Sequence, residues 1–331
     1  MKIEVLGAWR RAMYDEPSAV DGSCFADDAL IRLMHPMGDV TGHDGLWSAA
    51  LGPLLTAMPD MERREQIVVQ GVDHHGHFWV GCGCVYIGTW KAAFMGIPAT
   101  RRIAHLRAHE FFRIEDGKVV EAQILWDLPE LMMQAGVWPL APSLGRDWCI
   151  PAPANQGGLG PHDAAQSQVS SDLIVDMLNT MKNHPSQGGP ETMELEKFWH
   201  PKFNWYGPAG IGTGRGVEGF RRVHQIPFLK ALPDRGTYPD EITFHFMAEG
   251  DFVGVTGWPD MMQTVTGSGW MGIAPSGIKV GMRSLDFWRI ENGLIRENWV
   301  LVDLLHMYDQ IGVDVFERMR EFVNGGAEGP I

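Results

Sequence analysis

Apolar, β-branched and aromatic residues crowd into four early stretches: EQIVVQGVD (65–73), HFWVGCGCVYIGTW (77–90), RRIAHLRAHEFFRIEDG (101–117) and KVVEAQILWD (118–127). Runs of this kind, bounded by Gly and Asp, predict strands. A second series follows in the same order: EITFHFMAEG, DFVGVTGWP, IKVGMRSLDFWRIENG and LIRENWVLVD (241–303). Asp116-Gly117 and Asn292-Gly293 stand between the last two strands of each series, and such pairs mark tight antiparallel hairpins. Helical text comes first in each copy. ADDALIRLMHP (26–36) and ETMELEKFWHP (191–201) predict helices that stop at His-Pro, because a residue before proline is held out of the helical region. GLWSAALGPLLTAMPD (45–60) and VEGFRRVHQIPFLKALPD (217–234) predict second helices, kinked or broken at Pro53 and Pro227. DLPELMMQAG (127–136) and DLLHMYDQIG (303–312) predict short closing helices. Helices followed by a meander of strands is an α+β order.

The two series are copies of one unit. IEDG at 114–117 returns as IENG at 290–293, and Asp127, Leu128, Gln134 and Gly136 return as Asp303, Leu304, Gln310 and Gly312, at an offset of 176. Upstream, Gly42, Gly45, Pro53, Leu55, Pro59 and Asp60 match Gly216, Gly219, Pro227, Leu229, Pro233 and Asp234 at an offset of 174, and His35-Pro36 matches His200-Pro201 at 165. The step from 165 to 174 implies a nine-residue insertion in the second copy, covering most of WYGPAGIGTGRG (205–216). A tandem duplication follows, with one domain at 1–140, a Pro-, Gly- and Ala-rich linker at 141–165, and a second domain at 166–331. The glycine-rich stretch fits neither GxGxxG nor GxxxxGK[ST], so it reads as a structural or rim loop rather than a phosphate cradle.

The element order and the motifs RIEDG…Asp127…Gln134-x-Gly136 and RIENG…Asp303…Gln310-x-Gly312 resemble the SnoaL-like polyketide cyclases, or ester cyclases, of the NTF2-like (cystatin-like) fold. The likeness covers nearly all of both copies, and WYGPAGIGTGRG with PFLKALPD is similar to the tandem members. It implies two cones, each a curved antiparallel sheet wrapped around helices with an apolar pocket, the sheets packed as an intrachain pseudo-dimer. It also implies cofactor-free acid/base chemistry on a hydrophobic, carbonyl-bearing small molecule, as in the aldol ring closure of the founding members. In those members the acid lies near the end of the strand after the hairpin. That position falls here on Ile124 and Val300, neither of which can move a proton. The assisting position on the preceding strand falls on Glu110 and Asp286. A carboxylate in an apolar pocket can serve as general acid or base. Arg107, Arg113, Arg283 and Arg289 are the alternative partners for these two.

Other candidates divide between chemistry and structure. Asp127 and Asp303 suit helix N-caps, with Asp303 also a catalytic candidate. His224, on the helical stripe Val217, Phe220, His224, is either a core histidine or a proton shuttle beside Asp286, and His245 is ambiguous in the same way. Trp205 and Tyr206 are expected to border the second pocket. Trp126, Trp258, Trp270, Asn298 and Trp299 are further lining candidates, although strand tryptophans equally suit a core or an interface. Asp73, His74, His75 and His77 are metal-ligand types, but GVDHHGH reads as an exposed turn and the second copy has EGD there, so no metal site is expected. Cys24, Cys82, Cys84 and Cys149 lack zinc or CxxC spacing and read as free thiols. A net charge of -14 argues against a nucleic-acid or anionic-membrane partner. No signal-type apolar region or membrane-length run is visible, which gives a cytoplasmic expectation. Two readings stay open: an enzyme of cyclase, isomerase or hydrolase type with no cofactor, and a small-molecule binding protein. Higher oligomers remain open too.

Overall fold

The computed structural model describes residues 2–155, 163–183, 188–267 and 271–327. The first half contributes strands β1 (Phe25–Leu33), β2 (Asp39–Thr41), β3 (Glu62–Val72), β4 (Phe78–Thr89), β5 (Ile103–Glu115) and β6 (Lys118–Trp126). The second contributes β7 (Trp199–Tyr206), β8 (Thr213–Arg215), β9 (Phe244–Glu249), β10 (Phe252–Thr264), β11 (Lys279–Glu291) and β12 (Leu294–Val302). They form two six-stranded sheets with the matching orders β2-β1-β6-β5-β4-β3 and β8-β7-β12-β11-β10-β9. Each is antiparallel apart from one parallel pair, β1 with β6 and β7 with β12. With the flanking helices this is the expected two-unit α+β layout. Among the described residues no helix is long and apolar enough to cross a membrane.

Local chemistry accounts for the turns and kinks. Asp116 and Gly117 have φ of 46° and 74°, and Asn292 and Gly293 have 53° and 75°. Two successive left-handed residues make the tight hairpin that Asp-Gly and Asn-Gly favour. The broken helices pass through wide π turns at Trp47–Leu51 and Arg221–Gln225, just before Pro53 and Pro227, whose missing N–H interrupts the helical ladder.

Two sequence expectations fail. ADDALIRL is not helical but forms most of β1, where buried Ala29, Ile31 and Leu33 alternate with more exposed neighbours. A period of two, anchored by pairing to β6, overrides the helix propensity of Ala, Leu and Arg. In the second copy only Leu195–Phe198 is α-helical immediately before β7. The nine-residue insertion is also absent. Ile31 pairs with Val40 and Trp205 with Gly214, so the 174-residue offset already holds at this hairpin. His200-Pro201 lies within β7, whereas His35-Pro36 lies beyond β1, and their match was coincidental. Three helices went unread: Gly7–Asp15, Ala164–Met181, which begins inside the expected linker, and Val315–Ala327.

The sheets pack against each other about a pseudo-two-fold axis. Phe111 of β5 and its counterpart Phe287 of β11 stack at 5.0 Å with a 15° interplanar angle. Gly81 and Gly254 leave room for this pair: a Cβ at either would lie 2.6 Å or 3.0 Å from the Phe111 ring. Gln70 donates its backbone and side-chain N–H to Glu249 across the two edge strands, both at 3.0 Å. The loops are exchanged symmetrically. Ala209 N–H donates to Asp127 Oδ2 and His35 N–H donates to Asp303 Oδ2, each at 3.0 Å. Arg107 adds bonds to the Tyr206 and Gly207 carbonyls at 3.1 and 2.8 Å. The glycine-rich loop is therefore half of an isologous joint between the copies.

Candidate active site in the second half

The second sheet, the helix Ala164–Met181 and residues 216–231 enclose a cavity of about 110 Å³. Its wall is largely apolar, with Met177, Met181, Trp199, Trp205, Phe220, Phe228 and Met282, and a few polar groups converge on it: His224, Arg235, Asp260, Ser284, Asp286 and Asn298. A second cavity of about 130 Å³ adjoins it and shares Leu178, Arg235, Asp260, Met261, Asp286 and Trp288. An apolar hollow with a few placed polar groups is the ordinary form of a small-molecule site.

Asp286 is central to this arrangement. It projects from β11 directly opposite Val300 of β12, so both side chains share one face of the sheet. The position that lacks an acid on β12 thus has a carboxylate beside it on the next strand. Burial pushes the Asp286 carboxyl up to about 7, against the Ser284 hydroxyl, Arg235 and Arg107, which favour the ionised form. Ser284 donates to Asp286 Oδ1 at 2.8 Å. Asp260 is raised well above the carboxylate range, first by burial and then by the like charge of Asp286, with Arg235 opposing. Its Oδ1 is buried with no hydrogen-bond partner.

Asp260 reaches the cavity through a bulge. In the first half Cys84, Val85 and Tyr86 face Ala108, Arg107 and Leu106 in unbroken register. In the second, Gly257 pairs with Ser284 and Met261 with Met282, which leaves Trp258, Pro259 and Asp260 opposite Arg283 alone. Bulges re-aim side chains in this way. Gly257 is required, since a Cβ there would lie 2.0 Å from the Asp260 Cβ. Three residues thus stand where the first copy has one, a gain of two in the second copy that no motif marked.

His224 lies on the π turn, its ring stacked on Trp205 at 4.3 Å and 12°. Burial, with Arg235 adding to it, pushes its pKa down to about 3, so the imidazole stays neutral. Asn298 donates to the Phe287 carbonyl at 3.0 Å, which fixes its amide in the wall. Several expected lining residues lie elsewhere. Tyr206 alternates away from Trp205, and its hydroxyl meets Glu297 and its ring Trp299, while Trp299 donates to the Pro151 carbonyl. Trp258 stacks with Arg283 at 4.6 Å. His245 reaches across to Asp73 of the first half at 2.6 Å. Trp126 packs on Tyr86 and Phe94 in the first half. Trp270 lies outside the described residues. Asp303 holds His35 N–H, His306 N–H and Arg283, a cap and a joint rather than a cavity wall. Its counterpart Asp127 makes no side-chain cap bond and serves the joint alone.

Glu110, the counterpart of Asp286, is consumed by its own neighbours. Arg63 donates to Oε2 at 2.9 Å and Tyr86 to Oε1 at 2.7 Å, with all three side chains buried. Arg235, Asp260 and the methionines of Ala164–Met181 escaped the sequence reading because a loop, a bulge and an unread helix carry them.

The Asp286 shift has a consequence for stability. A carboxyl in the unfolded chain loses its proton near about 3.9, whereas the folded one keeps it to about 7. Within that window the folded state binds more protons, so stability falls as pH rises, and the cost is complete above it. His224 acts oppositely at acid pH, but it persists in Asp286→Asn and cancels in the comparison. Asp260 acts in the same direction as Asp286, and the part of its shift that comes from Asp286 disappears in the variant, which adds to the difference. The melting temperature of Asp286→Asn relative to wild type should therefore rise between about pH 4 and about pH 8. An unchanged difference would refute the shift.

Comparison with known proteins agrees with this duplicated architecture. Residues 9–135 and 186–311 each match the SnoaL-like polyketide cyclase family, and the chain belongs to it. No curated protein matches the sequence significantly. Similar solved structures include IdmH from Streptomyces antibioticus (24% identity, 41% of this chain, 99% of that one, TM-score 0.35). A SnoaL-like protein from Jannaschia sp. CCS1 (17%, 46% and 97%, TM-score 0.38) and AclR from Streptomyces galilaeus (18%, 41% and 95%, TM-score 0.35) are others.

Proposed function

We propose that the second half is a cofactor-independent acid/base catalyst acting on a hydrophobic, carbonyl-bearing small molecule, with Asp286 as the proton-transferring group. The observation that carries this reading is Asp286 itself: a carboxyl facing an apolar cavity and poised at about 7. A base near neutrality can remove a proton from a carbon next to a carbonyl and later return it. The electron pair then moves onto the carbonyl oxygen, where N–H donors stabilise the charge. Trp199 and Trp288 belong to the cavity wall, and the indole N–H of each is buried without an acceptor. Return of the proton to another carbon gives isomerisation, and attack of the new carbanion on a second carbonyl gives ring closure. Asp260 is the second carboxyl of the pair, holding a proton beside the charged base. The first half, its carboxylate locked by Arg63 and Tyr86, is a structural partner.

Val300 favours a second reading, a binding protein without turnover, since the family's acid position there is aliphatic. Soaking crystals with aromatic polyketide-like ligands separates the two. A ligand carbonyl, or the carbon beside it, within reach of Asp286 supports the catalyst. A ligand held away from every carboxylate and histidine supports the binder.

A further inference from the structure

The turn from Asp73 to His77 joins β3 to β4 and meets β9 of the other half. Asp73 Oδ1 accepts the backbone N–H groups of His75 and His77, both at 2.9 Å. Its Oδ2 accepts Trp79 Nε1–H at 3.0 Å and lies 2.6 Å from His245 Nδ1 and 3.6 Å from His77 Nδ1. His77 Nδ1 is buried and has no hydrogen-bond partner. One ligand atom from each of Asp73, His77 and His245 lies within 4.8 Å of the other two. We propose that these three residues form a site for a divalent transition-metal ion, zinc above all, that bridges the two halves.

Two imidazole nitrogens and one carboxylate oxygen are a donor set that suits zinc and not magnesium or calcium. The backbone N–H groups on Oδ1 and the indole on Oδ2 fix the carboxylate in place, as outer partners of metal ligands do. Bonds of about 2.0–2.2 Å need donor atoms somewhat more than 3 Å apart. The Asp73–His245 contact must open, as the ion takes the place of the proton those two share, while the 3.6 Å from Asp73 to His77 already suits such bonds. Exposed His75, with its ring 5.7 Å from that of His245, or a water can supply the fourth ligand. The site occurs once, because the second copy carries Gly250-Asp251 at the corresponding turn. It is separate from the cavities, whose walls include none of the three ligands.

The test is calorimetric titration of the chelator-stripped full chain with zinc. One ion per chain and a raised melting temperature in zinc are expected. His77→Ala and His245→Ala should each weaken binding at least about tenfold, while His74→Ala should bind as wild type does. His245 also packs on Trp79, so His77→Ala, on the turn, is the variant that disturbs the fold less. Absence of stoichiometric binding in the wild type, or undiminished affinity in either ligand variant, would overturn the site.

Discussion

Asp286→Asn should lower turnover by about 10²–10⁴-fold while the protein stays folded. Asn keeps the shape of the side chain and can still accept from the Ser284 hydroxyl, but it cannot take a proton. Glu110→Gln, at the matching place in the first half, should leave turnover nearly unchanged, because Glu110 is bound by Arg63 and Tyr86 and lines neither cavity. Kinetics on both variants, once a substrate is in hand, give the answer. Normal turnover in Asp286→Asn would remove the assignment, and loss in Glu110→Gln alone would move the chemistry to the first half.

Phe111→Ala should cost about 3–5 kcal/mol of stability, the usual range for deleting a buried phenylalanine. The Phe111 ring is fully buried and stacks on Phe287 of the opposite sheet. Its removal empties space at the axis, and Gly81 and Gly254 have no side chains with which to refill it. Urea denaturation measures the loss. A cost below about 1 kcal/mol would mean that the sheets do not depend on this contact.

Strands β3–β6 and β9–β12, the hairpins and the kinked helices were legible because each has a local cause. Asp116-Gly117 and Asn292-Gly293 demand left-handed turns, and Pro53 and Pro227 break the helical ladder. The duplication was legible from matched letters, and the inward direction of Asp286 on its strand from the alternation of side chains. β1 was misread because Ala29, Leu30 and Arg32 favour helix in isolation, while its strand character arises from pairing with β6, far along the chain. Asp260 stayed hidden for a related reason. Its direction is set by a slip in register between β10 and β11, which only the paired strands reveal. His245 and Asp73 are 172 positions apart, so their meeting belongs to the joint and to neither copy alone.

That joint places both sides of the axis on one polypeptide, and this changes what symmetry permits. In a dimer of identical subunits every substitution is printed twice, so a cavity cannot be kept on one side and filled on the other. Here the Arg63–Glu110 lock and the bulge carrying Asp260 each occur once, on opposite sides. The partner also remains at high effective concentration however dilute the solution becomes. The contact between halves therefore carries no dependence on protein concentration, unlike that of a dissociable dimer.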